Sequence, residues 1–75
     1  MSAFKTGDRV AVLEYGPVLM PGVVVEPNGR RVKVRTTKGV RSYPAVSDYV
    51  RRAAGLESRT RDLWADAWAE LEVAR

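Results

Sequence analysis

The segment RRVKVRT, residues 30–36, alternates basic side chains with β-branched apolar ones. In an extended chain Val32 and Val34 fall on one face, and Arg31, Lys33 and Arg35 fall on the other. A period of two is typical of a strand that is half-buried in a sheet. This segment therefore predicts a strand with an apolar inner face and a basic outer face.

Short β-branched runs separated by turn residues occupy most of the first 43 positions. Asn28-Gly29 tolerates the positive φ of a tight turn, TTKG at 36–39 is a hairpin turn, and Pro44 ends the last run. Strands at this spacing are typical of a small barrel or a strongly bent sheet. We predict a mostly β fold, a small barrel of four to five antiparallel strands, with strands at 9–13, 22–26, 30–36 and 40–43.

The end of the chain has helical patterning. Residues 44–55 predict a short helix or 3₁₀ turn closed by Gly55, and Ser58 offers an N-cap oxygen for an amphipathic helix at about 59–74. At 100° per residue one arc of that helix collects its apolar side chains, namely Leu56, Thr60, Leu63, Trp64, Ala67, Trp68, Leu71 and Ala74. We expect this arc to cover an open end of the barrel, so that residues 1–54 and 55–75 form one structural unit.

Composition narrows the possible functions. The 75 residues suit one small domain. They include no cysteine and no histidine, which are the commonest ligands of zinc, and histidine is also the commonest general base. No paired acid and base and no glycine-rich phosphate loop is apparent, so we expect a non-enzymatic module without metal or cofactor. No segment is predicted to be a signal peptide or a membrane span, which favours a cytoplasmic protein without a membrane partner.

Charge is distributed unevenly along the chain. Residues 1–54 carry 10 basic and 4 acidic side chains, whereas residues 55–75 carry 3 and 5. A 12-residue stretch without any acid predicts a nucleic-acid-binding face, for DNA, RNA or a nucleoprotein complex, through phosphate neutralisation. Its basic members are Arg30, Arg31, Lys33, Arg35, Lys38 and Arg41, and Tyr43 at its end is expected to stack on a base. The alternative is a solvated outer face that protects an edge strand by charge.

A second candidate surface is apolar. Val18, Leu19 and Met20 stand between Gly16-Pro17 and Pro21-Gly22, which predicts an apolar loop. Either the C-terminal helix covers this loop, or the loop contacts another protein. Trp64, Trp68 and Leu71 would then join it in a protein-interaction or assembly module, as a homodimer or an accessory protein of bacterial or phage type.

The segment GDRVAVLEYGPVLMPGVVVE, residues 7–26, resembles the KOW motif of transcription elongation factors and some ribosomal proteins. Gly7-Asp8 precedes a strand, Gly16-Pro17 lies in the loop and Gly22-Val23-Val24 opens the next strand. The resemblance implies an SH3-like barrel that contacts nucleic acid or the transcription or translation machinery. The chain has Val18 where elongation factors usually carry an aromatic residue, and its loop is one residue shorter.

GDRV at 7–10 and VRSYP at 40–44 also resemble plasmid-type, trimethoprim-insensitive dihydrofolate reductases. Those enzymes are SH3-like barrels that assemble as tetramers. The family has Gln and Ile, which contact cofactor and substrate, where this chain has Arg41 and Ser42. Only Tyr43 carries over, so the resemblance favours a related fold more than a reductase.

Overall fold

A computed structural model describes residues 4–15 and 18–73, with the backbone alone at Tyr15. The chain forms five strands, a 3₁₀ turn at Ala53–Gly55 and one α-helix. The strands are β1 (Arg9–Tyr15), β2 (Val18–Asn28), β3 (Arg31–Thr36), β4 (Gly39–Pro44) and β5 (Val50–Arg52), and the helix is α1 (Ser58–Val73).

All strand pairs are antiparallel, and the sheet order is β4-β3-β2-β1-β5. The predicted alternation on β3 is confirmed, because Val32 and Val34 are fully buried while Arg31 and Lys33 are exposed. The Asn28-Gly29 turn is also confirmed, with Gly29 at φ +62°. The structure is thus mostly β with one C-terminal helix, as expected.

The sheet curls strongly around one apolar interior, which we call the inner core. Its members come from every strand and from the segment before β1: Phe4, Val10, Val12, Val24, Val32, Val34, Tyr43 and Val50. The curl also brings together strands that are not neighbours in the sheet, because Tyr43 of β4 donates a hydrogen bond to Glu14 of β1 (2.7 Å). A flat five-stranded sheet would hold these two side chains apart.

Helix α1 packs on the outer face of the sheet, and not over an open end as expected from the sequence. Val24 belongs to the inner core, so the neighbouring Val23 points outward, where it packs against Trp68 and Leu71. Ala53, Leu56 and Trp64 pack around this group, which we call the helix–sheet core. The Trp68 indole Nε1 donates to the backbone oxygen of Val10 (3.0 Å) and so fixes the helix across β1.

The apolar segment at 18–20 is not a loop, so that prediction was wrong. Its residues begin β2, with Leu19 opposite Leu13 and Met20 opposite Val12 on β1. Pairing with β1 satisfies their backbone groups, and the inner core receives Met20. Positions 16 and 17, the predicted Gly-Pro turn, lie outside the described residues.

The prediction of a helix or 3₁₀ turn over 44–55 is correct only for its last three residues, Ala53–Gly55. Residues 45–49 are irregular, and Val50–Arg52 form β5, which pairs with β1. The reason is tertiary: Val50 is 1% exposed in the inner core, and a β-branched residue at that site favours the sheet.

The final helix is confirmed, but its first residue and its buried face differ from the prediction. It begins at Ser58, which therefore lies in the first turn, and Arg61 N–H bonds to Glu57 O (3.0 Å). Leu63 was expected on the buried arc and is 76% exposed, because only a narrow face around Trp68 and Leu71 reaches the sheet. Ala74 lies outside the described residues. Within the described ranges, no helix has the length and apolar character needed to span a membrane.

Candidate nucleic-acid interface

Three basic side chains project from the outer face of β3, and we call them the β3 basic strip: Arg31, Lys33 and Arg35. They project outward because they alternate with the buried Val32 and Val34. Their direct partners on β4 are Pro44, Ser42 and Val40, none of which is acidic. The register therefore lines up cations along β3 with no acid opposite them on β4, whereas on β2 Glu26 lies opposite Lys33.

Local contacts hold the strip without neutralising it. Arg31 donates from Nε to the Ser42 hydroxyl (2.8 Å) and from an Nη to the Ser42 carbonyl oxygen (3.2 Å). These bonds orient the guanidinium and leave its charge intact. Lys33 Nζ lies 3.9 Å from a Glu26 carboxylate oxygen, and both side chains are at least half exposed. An ion pair of that length at that exposure contributes little.

Arg35 lies closest to the helix. It is half-buried and lines a groove of about 450 Å³ together with Val23 and Val25 of β2 and with Leu71 and Glu72 of α1. Its hydrocarbon stem can therefore pack beside the helix–sheet core while the guanidinium stays near the surface.

Two more cations flank the strip, one at each end of β3. Arg30 follows Gly29 in the β2–β3 turn, and Lys38 precedes Gly39 in the β3–β4 turn; both basic side chains are exposed. Gly39 has φ +110°, a conformation that favours glycine and reverses the chain within two residues. The turns thus extend the line of positive charge beyond the strand.

Arg41 and Tyr43 do not belong to this face, so the prediction that they join it was wrong. Arg41 lies directly opposite Val34, and Tyr43 lies opposite Val32, so both share the inner side of the sheet. Tyr43 is 7% exposed within the inner core, which leaves its ring unable to stack on a base. The β3–β4 hairpin register is the physical reason for both corrections.

The side chains of Arg41 and Tyr43 both bond to Glu14 of β1. Its carboxylate accepts hydrogen bonds from the Arg41 guanidinium and from the Tyr43 hydroxyl (2.7 Å), and its side chain is only 4% exposed. A buried carboxylate requires such partners, because an unpaired one would carry a large desolvation cost. We call this group the Glu14 cluster; it joins β1 to β4 and fixes the curl of the sheet.

The residues predicted to form a protein contact are divided by the fold. Met20 packs on the inner core, Leu19 is half-buried and Val18 is 61% exposed. Trp68 and Leu71 are buried within the chain, and Trp64 packs edge-on against Trp68 with ring centroids 5.7 Å apart and planes at 82°. The segment and the helix face therefore do not meet as one apolar surface, and most of their area serves the two cores.

A bidentate ion pair closes the edge of the helix–sheet core. Arg9 donates from Nε and an Nη to the two carboxylate oxygens of Glu72 (3.1 and 2.7 Å), and its guanidinium lies 5.9 Å from the Trp68 ring centroid. The hydrogen bond with Arg9 lowers the pKa of Glu72, and the same bond raises the pKa of Arg9. The pair joins the last turn of α1 to β1.

Sequence reasoning did not single out Arg9, Glu14, Arg51 or Arg52. The adjacent pair Arg51-Arg52 was visible, but the helical interpretation of 44–55 hid its position on a strand. No group of three or more Asp or Glu side chains within the described part of the chain could hold a metal ion. Comparison with protein-family models, with curated proteins and with solved structures gives no match to this chain.

Proposed function

We propose that this protein is a non-catalytic module that binds nucleic acid, or a protein–nucleic-acid complex, through the β3 basic strip and its flanking Arg30 and Lys38. The observation that carries the proposal is the line of three outward cations on one strand. The nearest acid is Glu26, and its carboxylate oxygen lies 3.9 Å from Lys33 Nζ, which is long for an ion pair. Alternate residues on a strand are about 6.7 Å apart, so each cation can reach a separate phosphate.

The mechanism is phosphate neutralisation with little reading of bases. Arginine and lysine contacts to phosphates position a nucleic acid and carry no sequence information directly. Tyr43, the aromatic side chain expected to stack on a base, is buried. Binding is therefore expected to depend on salt and to discriminate weakly between sequences.

The fold proposal that accompanies this function is an SH3-like barrel of the KOW type, acting in the cytoplasm. Two glycines of the KOW-like segment support this fold proposal, because they stand where a side chain would be strained or crowded. Gly7 has φ +93° just before β1, and a Cβ on Gly22 would lie 2.5 Å from a Val34 methyl carbon. The strand order and the Glu14 cluster, which draws β4 toward β1, also support a barrel-like closure.

The test is a titration of fluorescein-labelled single- and double-stranded DNA and RNA at two salt concentrations. The variant Lys33→Glu/Arg35→Glu should bind at least about tenfold more weakly. The slope of log K against log salt concentration should also become shallower, by the amount expected for the loss of about two phosphate contacts. The matched control is Lys5→Glu/Arg59→Glu, which makes the same change in net charge at exposed positions outside β3 and its two turns. Absence of binding at low salt, or equal loss in the control, contradicts the proposal.

A second candidate function is assembly through the exposed side of α1. Leu63 and Val73 are 76% and 82% exposed, beside the exposed acids Asp62, Asp66 and Glu70. These two are the most exposed large apolar side chains among the described residues. Light scattering of the wild type and of Leu63→Ser/Val73→Ser tests this candidate, and a wild type that stays monomeric at high concentration excludes self-assembly.

A further inference from the structure

The far edge of the sheet, at β5, carries a groove of about 550 Å³ that is separate from the β3 basic strip. We call it the β5 groove. Its apolar lining includes Phe4, Val50 and Ala54, and its polar lining comprises Ser47, Arg51 and Arg52. Strands β3 and β5 are separated by β2 and β1, so the two features face different parts of the surface.

Both arginines are positioned by contacts that do not neutralise them. Arg51 Nε donates to the backbone oxygen of Ser47 (3.2 Å), and the Arg52 guanidinium lies 5.6 Å from the Phe4 ring centroid. Among the described residues, the carboxylates within ion-pair distance of an arginine or lysine pair with Arg9, Lys33 and Arg41, and none pairs with Arg51 or Arg52. Two fixed positive charges therefore stand beside an apolar lining.

The backbone of β5 adds one hydrogen-bond donor, the Arg52 N–H, to this groove. Leu13 N–H donates to Tyr49 O, and bonded and non-bonded pairs alternate along an antiparallel ladder. The pair Val10–Arg52, three steps along, is therefore a non-bonded one, so the Arg52 N–H points away from β1 toward the free edge, while its C=O accepts the first hydrogen bond of the 3₁₀ turn. A peptide in extended conformation can pair with groups of this kind.

We propose that the β5 groove binds an extended acidic peptide that carries an apolar residue. The Arg52 N–H would donate to a carbonyl of its main chain, its apolar side chain would pack on the apolar lining beside Ala54, and its carboxylates would pair with Arg51 and Arg52. The exposed strand edge and the apolar lining favour a peptide over a nucleic acid, which would use the two charges alone. This inference does not rest on the nucleic-acid proposal, because it uses none of the β3 residues.

The test uses a fluorescein-labelled hexapeptide of alternating leucine and glutamate, titrated with the full chain at low salt. We expect binding, with chemical-shift changes of the Arg52 and Val50 amides in ¹⁵N–¹H spectra. A hexapeptide of alternating leucine and lysine should bind at least about tenfold more weakly. Equal binding of both peptides, or shift changes at β3 in place of β5, would overturn the proposal.

Variants complete the test. Arg51→Gln/Arg52→Gln should weaken binding of the glutamate peptide about tenfold or more. The matched control Lys33→Gln/Arg35→Gln, with the same change in charge, should leave peptide binding within about twofold. Thermal melting shows whether each variant is folded. Ala54→Trp, which fills the groove at an exposed position, should also block binding of the peptide. If the Arg51/Arg52 variant loses labelled DNA or RNA and keeps the peptide, the groove belongs to the nucleic acid and this proposal is wrong.

Discussion

The inner core and the helix–sheet core differ in how they are built. The inner core is enclosed by the curled sheet, and four of its valines, at 10, 12, 32 and 34, have no exposed surface. The helix–sheet core has one fully buried large side chain, Trp68, and its neighbours Trp64 and Leu56 remain partly exposed. The residues of the inner core come from all strands, whereas the helix–sheet core is centred on the one tryptophan at position 68.

This difference predicts two levels of stability in one small domain. Buried side chains from all five strands stabilise the inner core, so its stability does not depend on any single one of them. The helix is held by Trp68 and Leu71 and, at its last turn, by the exposed Arg9–Glu72 pair. Segments with few buried contacts open at lower free energy than the rest of a protein. We therefore expect α1 to open before the sheet does.

The largest effect should come from Trp68→Ala. Removing a buried tryptophan typically costs about 3–5 kcal/mol, and this change also removes the donor for Val10 O. Urea unfolding followed by far-ultraviolet circular dichroism measures the loss. Hydrogen exchange then tests the comparison: strand amides should stay protected while the amides of α1 exchange rapidly. Loss of protection in both at once would make the two cores one cooperative unit.

The next effect concerns the inner core and its Glu14 cluster. Glu14→Gln keeps the shape of the side chain and removes the charge that accepts from Arg41 and Tyr43, so the free energy of unfolding should fall by about 1.5–3 kcal/mol. Chemical denaturation is the measurement. Tyr43→Phe is the matched control, because it removes one hydrogen bond and should cost less. Equal values for the two variants would assign the stabilisation to the tyrosine hydroxyl alone.

A smaller change tests the packing between β2 and β3. Gly22→Ala places a methyl group 2.5 Å from a Val34 side-chain carbon, and a β-branched side chain in a filled core has little room to move. Overpacking by one methyl should cost about 1–2 kcal/mol. The midpoint of urea unfolding measures it, with Gly55→Ala, where a Cβ meets nothing within 4 Å, as the control. Equal midpoints for both variants would contradict the close approach at Gly22.

The smallest effect belongs to the exposed ion pair at the edge of the helix–sheet core. The pKa of Glu72 is lowered in the folded state, so its stabilisation is present above the ordinary glutamate pKa and is lost as pH falls through the folded value. Glu72→Gln should therefore melt slightly below wild type at neutral pH and level with it in acid. Melting curves at both pH values, with and without added salt, measure the difference. If the difference in melting temperature between Glu72→Gln and wild type persists in acid, packing and not the ion pair is its cause.

Much of the sheet could be predicted from local pattern. The alternation of Val32 and Val34 and the Asn28-Gly29 turn required only neighbours in sequence, and both are confirmed. The segment at 18–20 was misassigned because Pro21 suggested a turn, whereas it pairs with Ala11 inside β2. Strand β5 has three residues, so its pairing with β1 and the burial of Val50 depend on tertiary contacts and not on local pattern.

The face of the sheet on which Arg41 lies could have been predicted from the sequence. The two-residue turn Thr37-Lys38 pairs Thr36 with Gly39, and the same register then pairs Val34 with Arg41. Residues directly opposite each other share a face, so Arg41 had to lie on the side of the valines. Following the register of the hairpin to its end would thus have separated Arg41 on β4 from the outward cations of β3.

The edge-on pair of Trp64 and Trp68 has a practical consequence for spectroscopy. These are the only two tryptophans of the chain, and both lie on α1. Their emission therefore reports on the docking of the helix and is largely blind to the strands, whereas the buried Tyr43 belongs to the inner core. Tryptophan fluorescence can thus follow the helix–sheet core of the native protein without any added label.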